Sequence, residues 1–108
     1  MPKYVTLFSL KGETAAGLMQ RPTDRAAAVR DTFRAAGGDV ESFYWMLGPH
    51  DGLVIADVPD GQTMTAVMVA VSGSGAFTNL QTHELIAAED IVPILERARS
   101  LAFSAPGA

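Results

Sequence analysis

The segment LVIADV, residues 53–58, constrains this chain most, because it is apolar on both faces of a strand. Successive side chains point to opposite faces of a strand, so Val54, Ala56 and Val58 share one side and Leu53 and Ile55 the other. The turn formers GPHDG (48–52) precede it, and Pro59, which cannot donate to a ladder, stops it. A four-stranded antiparallel sheet with helices on one face normally alternates apolar and polar residues. A strand written this way needs cover on its second face as well, from an extra helix, from another subunit, or from both.

The rest of the chain supplies the sheet to which that strand belongs. YVTLFSL (4–10), rich in β-branched and aromatic residues, is predicted to be the first strand. TAAGLMQ (14–20) is expected to form a loose helical turn. A clear helix is predicted from Pro22, well placed at a first helical position, to the stop at Gly37-Gly38. Its apolar stripe is Ala26, Val29, Phe33 and Ala36. Arg21 and Arg25 flank one edge and Arg30 and Arg34 the other, as snorkelling borders of a buried face.

DVESFYWML (39–47) reads as the second strand, with Phe43, Trp45 and Leu47 on one face and Val40, Tyr44 and Met46 on the other. Asp60 is placed to cap a helix over 61–72 that turns Met64, Val67, Met68 and Val71 inward, and SGSG (72–75) ends it. TNLQTHELI (78–86) is a fourth, more polar strand. A last helix from Asp90 tolerates Pro93 in its first turn and carries Ile91, Ile94, Leu95, Ala98 and Leu101. The tail FSAPGA is expected to fray. The order β-α-β-β-α-β with an added C-terminal helix predicts an α+β, ferredoxin-like architecture forming one domain over 1–108.

Composition narrows the function. Hydrophobic residues make up 48% of the chain and charged residues 19%, which is more apolar surface than a lone small domain hides and points to self-association. Net charge is −4 and the eight basic residues form no run, which argues against a nucleic-acid groove built on clustered Lys and Arg. The absence of cysteine removes disulfides, thiolate nucleophiles and Cys-ligated metals. MPKYVTLFSL lacks the layout of a secretory leader, and the longest apolar stretch, AVMVAV (66–71), is too short to span a bilayer. A cytoplasmic protein without membrane or nucleic-acid partners is expected.

The segment FYWMLGPHDGLVIADVPD resembles the signature of the GYD domain family of small bacterial and archaeal proteins. That family carries a Gly-Tyr-Asp motif in a hairpin preceded by Tyr-Trp and followed by an apolar strand and Pro-Asp. The opening PKYVTLFSL, the helix end AAGGDV, Tyr44-Trp45 and Pro59-Asp60 extend the resemblance over most of the chain. His50 stands where the family has tyrosine. The resemblance implies a dimeric α+β barrel assembly, in which two ferredoxin-like protomers pack their open sheet faces together. It carries over no catalytic residue.

Five residues are candidates for a ligand or cavity site: Tyr44, Trp45, His50, Asp51 and His83. His50 and Asp51 are adjacent in a tight turn and point apart, so they are not a ready-made imidazole–carboxylate dyad. The turn reading has Asp51 bonding nearby backbone N–H groups and His50 as an exposed tip. The functional alternative puts a solvent-facing imidazole at a pocket mouth. His83 and Glu84 face opposite ways on a strand, and two histidines without HxH or HxxxH spacing do not make a zinc site. One of Tyr44 and Trp45 must face the open side of the sheet. GSG at 73–75 lacks the preceding strand of a phosphate loop, and no GxSxG elbow supports Ser-His-Asp catalysis.

The reading that follows is a homo-oligomeric binding or accessory module, with a sheet-face cavity for a small apolar or aromatic molecule or a protein partner. The alternatives are a cofactor-poor or haem-dependent monooxygenase or isomerase using His50 or His83, and a small regulatory oligomer. No cofactor is required by the residues, and haem enters only by analogy with other dimeric α+β barrels.

Overall fold

The computed structural model describes residues 1–107. The elements in chain order are β1 (Lys3–Leu10), α1 (Gly12–Gln20), α2 (Arg25–Ala35), β2 (Asp39–Trp45), β3 (Gly52–Asp57), α3 (Gly61–Gly73), β4 (Phe77–Leu85) and α4 (Ile91–Arg99). A 3₁₀ turn, Ala88–Asp90, leads into α4. The four strands form one sheet in the order β2-β3-β1-β4, antiparallel throughout. This is the expected ferredoxin-like arrangement, with α2 and α3 as the two crossover helices.

Local chemistry starts and stops those helices. Asp24 caps α2 by accepting from the Ala27 amide at 3.2 Å, so the helix begins at Arg25 and Pro22 stands ahead of it rather than at its first position. At the other end Gly37 adopts φ +83°, and the Gly38 and Gly37 amides return to Phe33 O and Arg34 O at 2.9 and 3.0 Å. This pair of bonds satisfies carbonyls the helix would leave open. Asp60 caps α3 as expected, accepting from the amide and hydroxyl of Thr63 at 2.8 and 2.7 Å.

The core lies between one sheet face and helices α2 and α3. Tyr4, Thr6 and Phe8 of β1 and Val54 and Ala56 of β3 are buried there, with Phe33 of α2 and Met64 and Val67 of α3. A register shift between Val40 and Ser42 changes the reading of β2. The extra residue turns Val40 inward, onto the same side as Phe43 and Trp45, instead of placing it with Tyr44. Leu47 lies past the strand end and is fully exposed.

The opposite sheet face is bare. Pairing aligns Tyr44, Leu53, Leu7 and Gln81 in one rung across it, and Ser42, Ile55, Val5 and His83 in the next. Beyond them Lys3 holds Asp57 and Glu41 at 3.1 and 3.2 Å, closing that end with charge. The added helix α4 does not cover this face. Its apolar residues Ile91, Ile94 and Leu95 stay exposed, as does Leu101, which lies past the helix end at Arg99, and α4 packs on no strand to any extent. The radius of gyration is therefore 17.4 Å, against roughly 13 Å for a compact chain of this length.

Candidate functional site

Phe8 organises a partly enclosed apolar space between the sheet and the helices. It sits mid-sheet, and the rings of Phe43, Trp45 and Phe77 stand around it at centroid distances of 5.7, 5.6 and 5.7 Å, all edge-on or nearly so. Aromatic rings prefer such edge contacts, because the positive rim of one meets the negative face of another. Close stacking would collapse the group. Edge-on packing leaves depth above it, and Gly52, opposite Phe8, leaves room for the ring.

Above this floor lies a cavity of about 380 Å³, walled by Val29 and Phe33 of α2, Met68 and Val71 of α3 and Leu80 of β4. Helix α1 roofs it through Thr14, Gly17 and Leu18. The roof is lightly attached. No residue of α1 is buried, and Gly12 and Gly17 have open space where a side chain would stand. One point anchors it: the Lys11 amide and the Thr14 hydroxyl both donate to the Ala76 carbonyl, at 3.0 and 2.8 Å. The volume falls within the roughly 300–1,000 Å³ of small-molecule sites, and the lining is of their usual kind, apolar and aromatic with few polar groups. A second depression, about 810 Å³ between α3 and β4, is shallow and open to solvent.

The five residues singled out in the sequence divide between three places. Trp45 lies on the helix side and lines the cavity. Tyr44 lies on the bare sheet face, where it is 62% exposed beside Leu53. His83 is also on that face, at the far edge, opposite Val5. His50 and Asp51 are in the β2–β3 turn, packed against the end of β1. The His50 Nδ1 is 3.4 Å from the Ser9 hydroxyl, which also reaches the Pro49 carbonyl at 3.2 Å. The Asp51 carboxylate accepts from the Leu10 amide at 2.7 Å. The turn reading is therefore corrected in two respects: Asp51 bonds a backbone donor distant in sequence, not those of its own turn, and His50 is no exposed tip but half-buried against Ser9.

His50 and His83 do not meet. Their neighbours Ser9 and Val5 are four residues apart on β1, about 13 Å along a strand. Neither histidine lines the cavity, so neither His50 nor His83 is placed to ligate a haem iron there. Among the described residues, no group of three or more His, Asp or Glu is arranged to hold a metal ion. Titration is disturbed in few places. Lys3 is raised above its ordinary value, chiefly by its hydrogen bond to Asp57. Tyr4 is raised by desolvation, and Asp60 is lowered by the Thr63 amide it caps. None of the three touches the cavity beneath α1.

The sequence reading missed that cavity because it took α1 for a loose turn. The signal was present in GETAAGLMQ, whose Glu, Ala, Leu, Met and Gln all favour helix.

The fold and this cavity define a small ferredoxin-like α+β protein with an apolar space between sheet and helices. The chain belongs to the GYD domain family, whose model matches residues 4–95. A comparison with curated proteins returns no significant match. Among solved structures it is similar to FFRP-DM1, with a TM-score of 0.57 at 13% identity, covering 80% of this chain and 100% of that one. It is also similar to TTHA0845 from Thermus thermophilus, with a TM-score of 0.54 at 16% identity, covering 82% and 96%. A third likeness, to MtbAldR, has a TM-score of 0.54 at 15% identity and covers 80% of this chain but 52% of that one. At such identities the likeness is one of fold.

Proposed function

We propose that this protein is a small self-associating binding module, accessory or regulatory in role, that takes an apolar or aromatic molecule into the cavity beneath α1. The observation that carries the reading is the cavity itself: about 380 Å³, floored by four aromatic rings and roofed by a helix with no buried residue. A lining this largely apolar and aromatic is the character of sites that take small apolar molecules. The sparse ionisable groups around it supply no acid–base pair, and positioned pairs are what proton-transfer catalysis requires.

Self-association has separate support. Val5, Leu7, Leu53 and Ile55 form an apolar strip on the bare sheet face, with Tyr44 beside it. The apolar side of α4 is bare too, and a nine-residue helix is too short to be stable in water without something to pack against. A second copy of the chain offers both surfaces a partner of the same character, in the manner of a dimeric α+β barrel. No helix among the described residues is long and apolar enough to cross a membrane, and a cytoplasmic location fits the same reading.

The test is a titration of the full-length protein with the neutral apolar dye N-phenyl-1-naphthylamine, followed by quenching of Trp45, the only tryptophan. Saturable binding of one dye per protomer, lost when Val29→Phe fills the cavity, is expected. Unsaturable binding, or binding indifferent to Val29→Phe in a folded variant, rules the cavity out as a ligand site.

A further inference from the structure

Resting on the reading of the cavity as a ligand site, we infer that its ligand is a monocarboxylate with a hydrocarbon or aromatic body, the carboxylate held at Arg25 and the body beneath α1. Arg25 is the only charged residue that lines the cavity. The lining hydroxyls already have partners. Thr6 pairs with Thr82 at 2.9 Å, Thr14 donates to the Ala76 carbonyl at 2.8 Å, and Ser74 donates to the Val71 carbonyl at 2.6 Å. Arg25, an exposed residue, has no protein partner among the described residues. Lys3 and Arg34 are each within 4.0 Å of a carboxylate, whereas Arg25 makes no ion pair among the described residues. Asp24, its neighbour in sequence, directs its carboxylate to the Ala27 amide.

The choice of ligand class follows from this arrangement. An apolar wall excludes a ligand polar throughout, since burying unpaired polar groups is costly. With Arg25 the one cation among the lining residues, the site matches a monoanion better than a phosphate dianion. A guanidinium presents two parallel N–H donors with the spacing of a carboxylate. The alternative is that Arg25 merely lays its hydrocarbon stem over apolar surface and keeps its head in water. The two differ in what an anionic headgroup gains.

Octanoate, octanol and octylamine share one tail and differ in headgroup charge, and their competition with the bound dye separates the two cases. The full-length wild-type protein should bind octanoate roughly tenfold or more tighter than octanol, as a charge-assisted hydrogen bond implies, and octylamine weakest. Arg25→Gln should bring octanoate to the level of octanol without moving octanol, and Arg25→Glu should put octylamine first. Equal affinities for octanoate and octanol in the wild type, or an octanoate preference that survives Arg25→Gln, would overturn the assignment while leaving the cavity a site for neutral molecules. Binding of none of the three would remove the cavity reading along with it.

Discussion

The Asp51 carboxylate accepts a 2.7 Å hydrogen bond from the backbone N–H of Leu10, 41 residues earlier in the chain. The register of β1 against β4 shifts between Ser9 and Leu10, so the ladder is irregular where this side chain supplies an acceptor. The backbone of Asp51 is engaged as well: its amide donates to the Phe8 carbonyl and its carbonyl accepts from the Met46 amide, both at 2.8 Å. Asp51 thus ties the β2–β3 turn to the end of β1.

Asp51→Ala should therefore lower unfolding free energy by about 1–3 kcal/mol, because it leaves a part-buried amide without its acceptor. Asp51→Asn keeps a carbonyl oxygen and should cost less. His50→Tyr, which puts in the residue of the family's motif, should change stability by no more than about 0.5 kcal/mol, since the His50 side chain makes a single, long hydrogen bond, 3.4 Å to Ser9. Urea denaturation of the three variants checks the ranking, and a larger loss for His50→Tyr than for Asp51→Ala would contradict it.

Two glycines should respond in opposite directions to the same change. A Cβ at Gly52 would run into the Phe8 ring and lie 2.9 Å from the Tyr44 carbonyl, which is backbone and cannot swing aside. Gly52→Ala should cost about 1–3 kcal/mol, the usual range for overpacking. Gly17 in α1 has nothing within 4 Å, and Gly17→Ala should stabilise by up to about 1 kcal/mol through helix propensity. Thermal melts of the two variants decide.

The bare sheet face should be an interface between protomers. Light scattering at micromolar concentration should give at least a dimer, whose contact should exceed about 1,000 Å² in total. Ile55→Lys places a charge in the middle of the apolar strip and should shift the protein to monomer while its circular dichroism stays native. A wild-type monomer at that concentration would leave the strip without the role assigned to it.

Acid stability should depend on Asp60. Its carboxyl is held below the ordinary value of 3.8, first by the Thr63 amide and then by the Thr63 hydroxyl. A carboxyl lowered in the folded state contributes stability that is fully present above its unfolded pKa and is lost as pH falls through the folded one. The loss should therefore begin below about pH 4 and not between pH 5 and 8. Asp60→Asn keeps an oxygen for the cap but cannot titrate, so its melting temperature should fall less steeply than that of the wild type between pH 5 and 2.5. Parallel slopes would show that Asp60 is not the group responsible.

The α3 cap and the stop of α2 were legible in the sequence because they rest on neighbours, whereas the Asp24 cap of α2 was read as a start at Pro22. Asp60 meets Thr63 three residues on, and Gly37 ends α2 because φ +83° suits a residue without a side chain. The apolar residues on both faces of LVIADV announced two faces needing cover, and the GYD signature around Tyr44-Trp45 announced the architecture. What the tertiary structure decided is everything that depends on pairing. Tyr44 faces outward and Trp45 lines the cavity because of how β2 registers on β3, and the bulge after Val40 is invisible in a pattern of period two. Gly38 looked like a helix stop, but it also lies against the Asp57 backbone, 19 residues further along. The cavity belongs to the same category. Its lining comes from β1, α1, α2, β2, β3, α3 and β4, and no local pattern records that seven elements leave a space between them. Arg25 looked like one border of a helix stripe among four arginines, and only the position of α1 above Phe8 sets it apart.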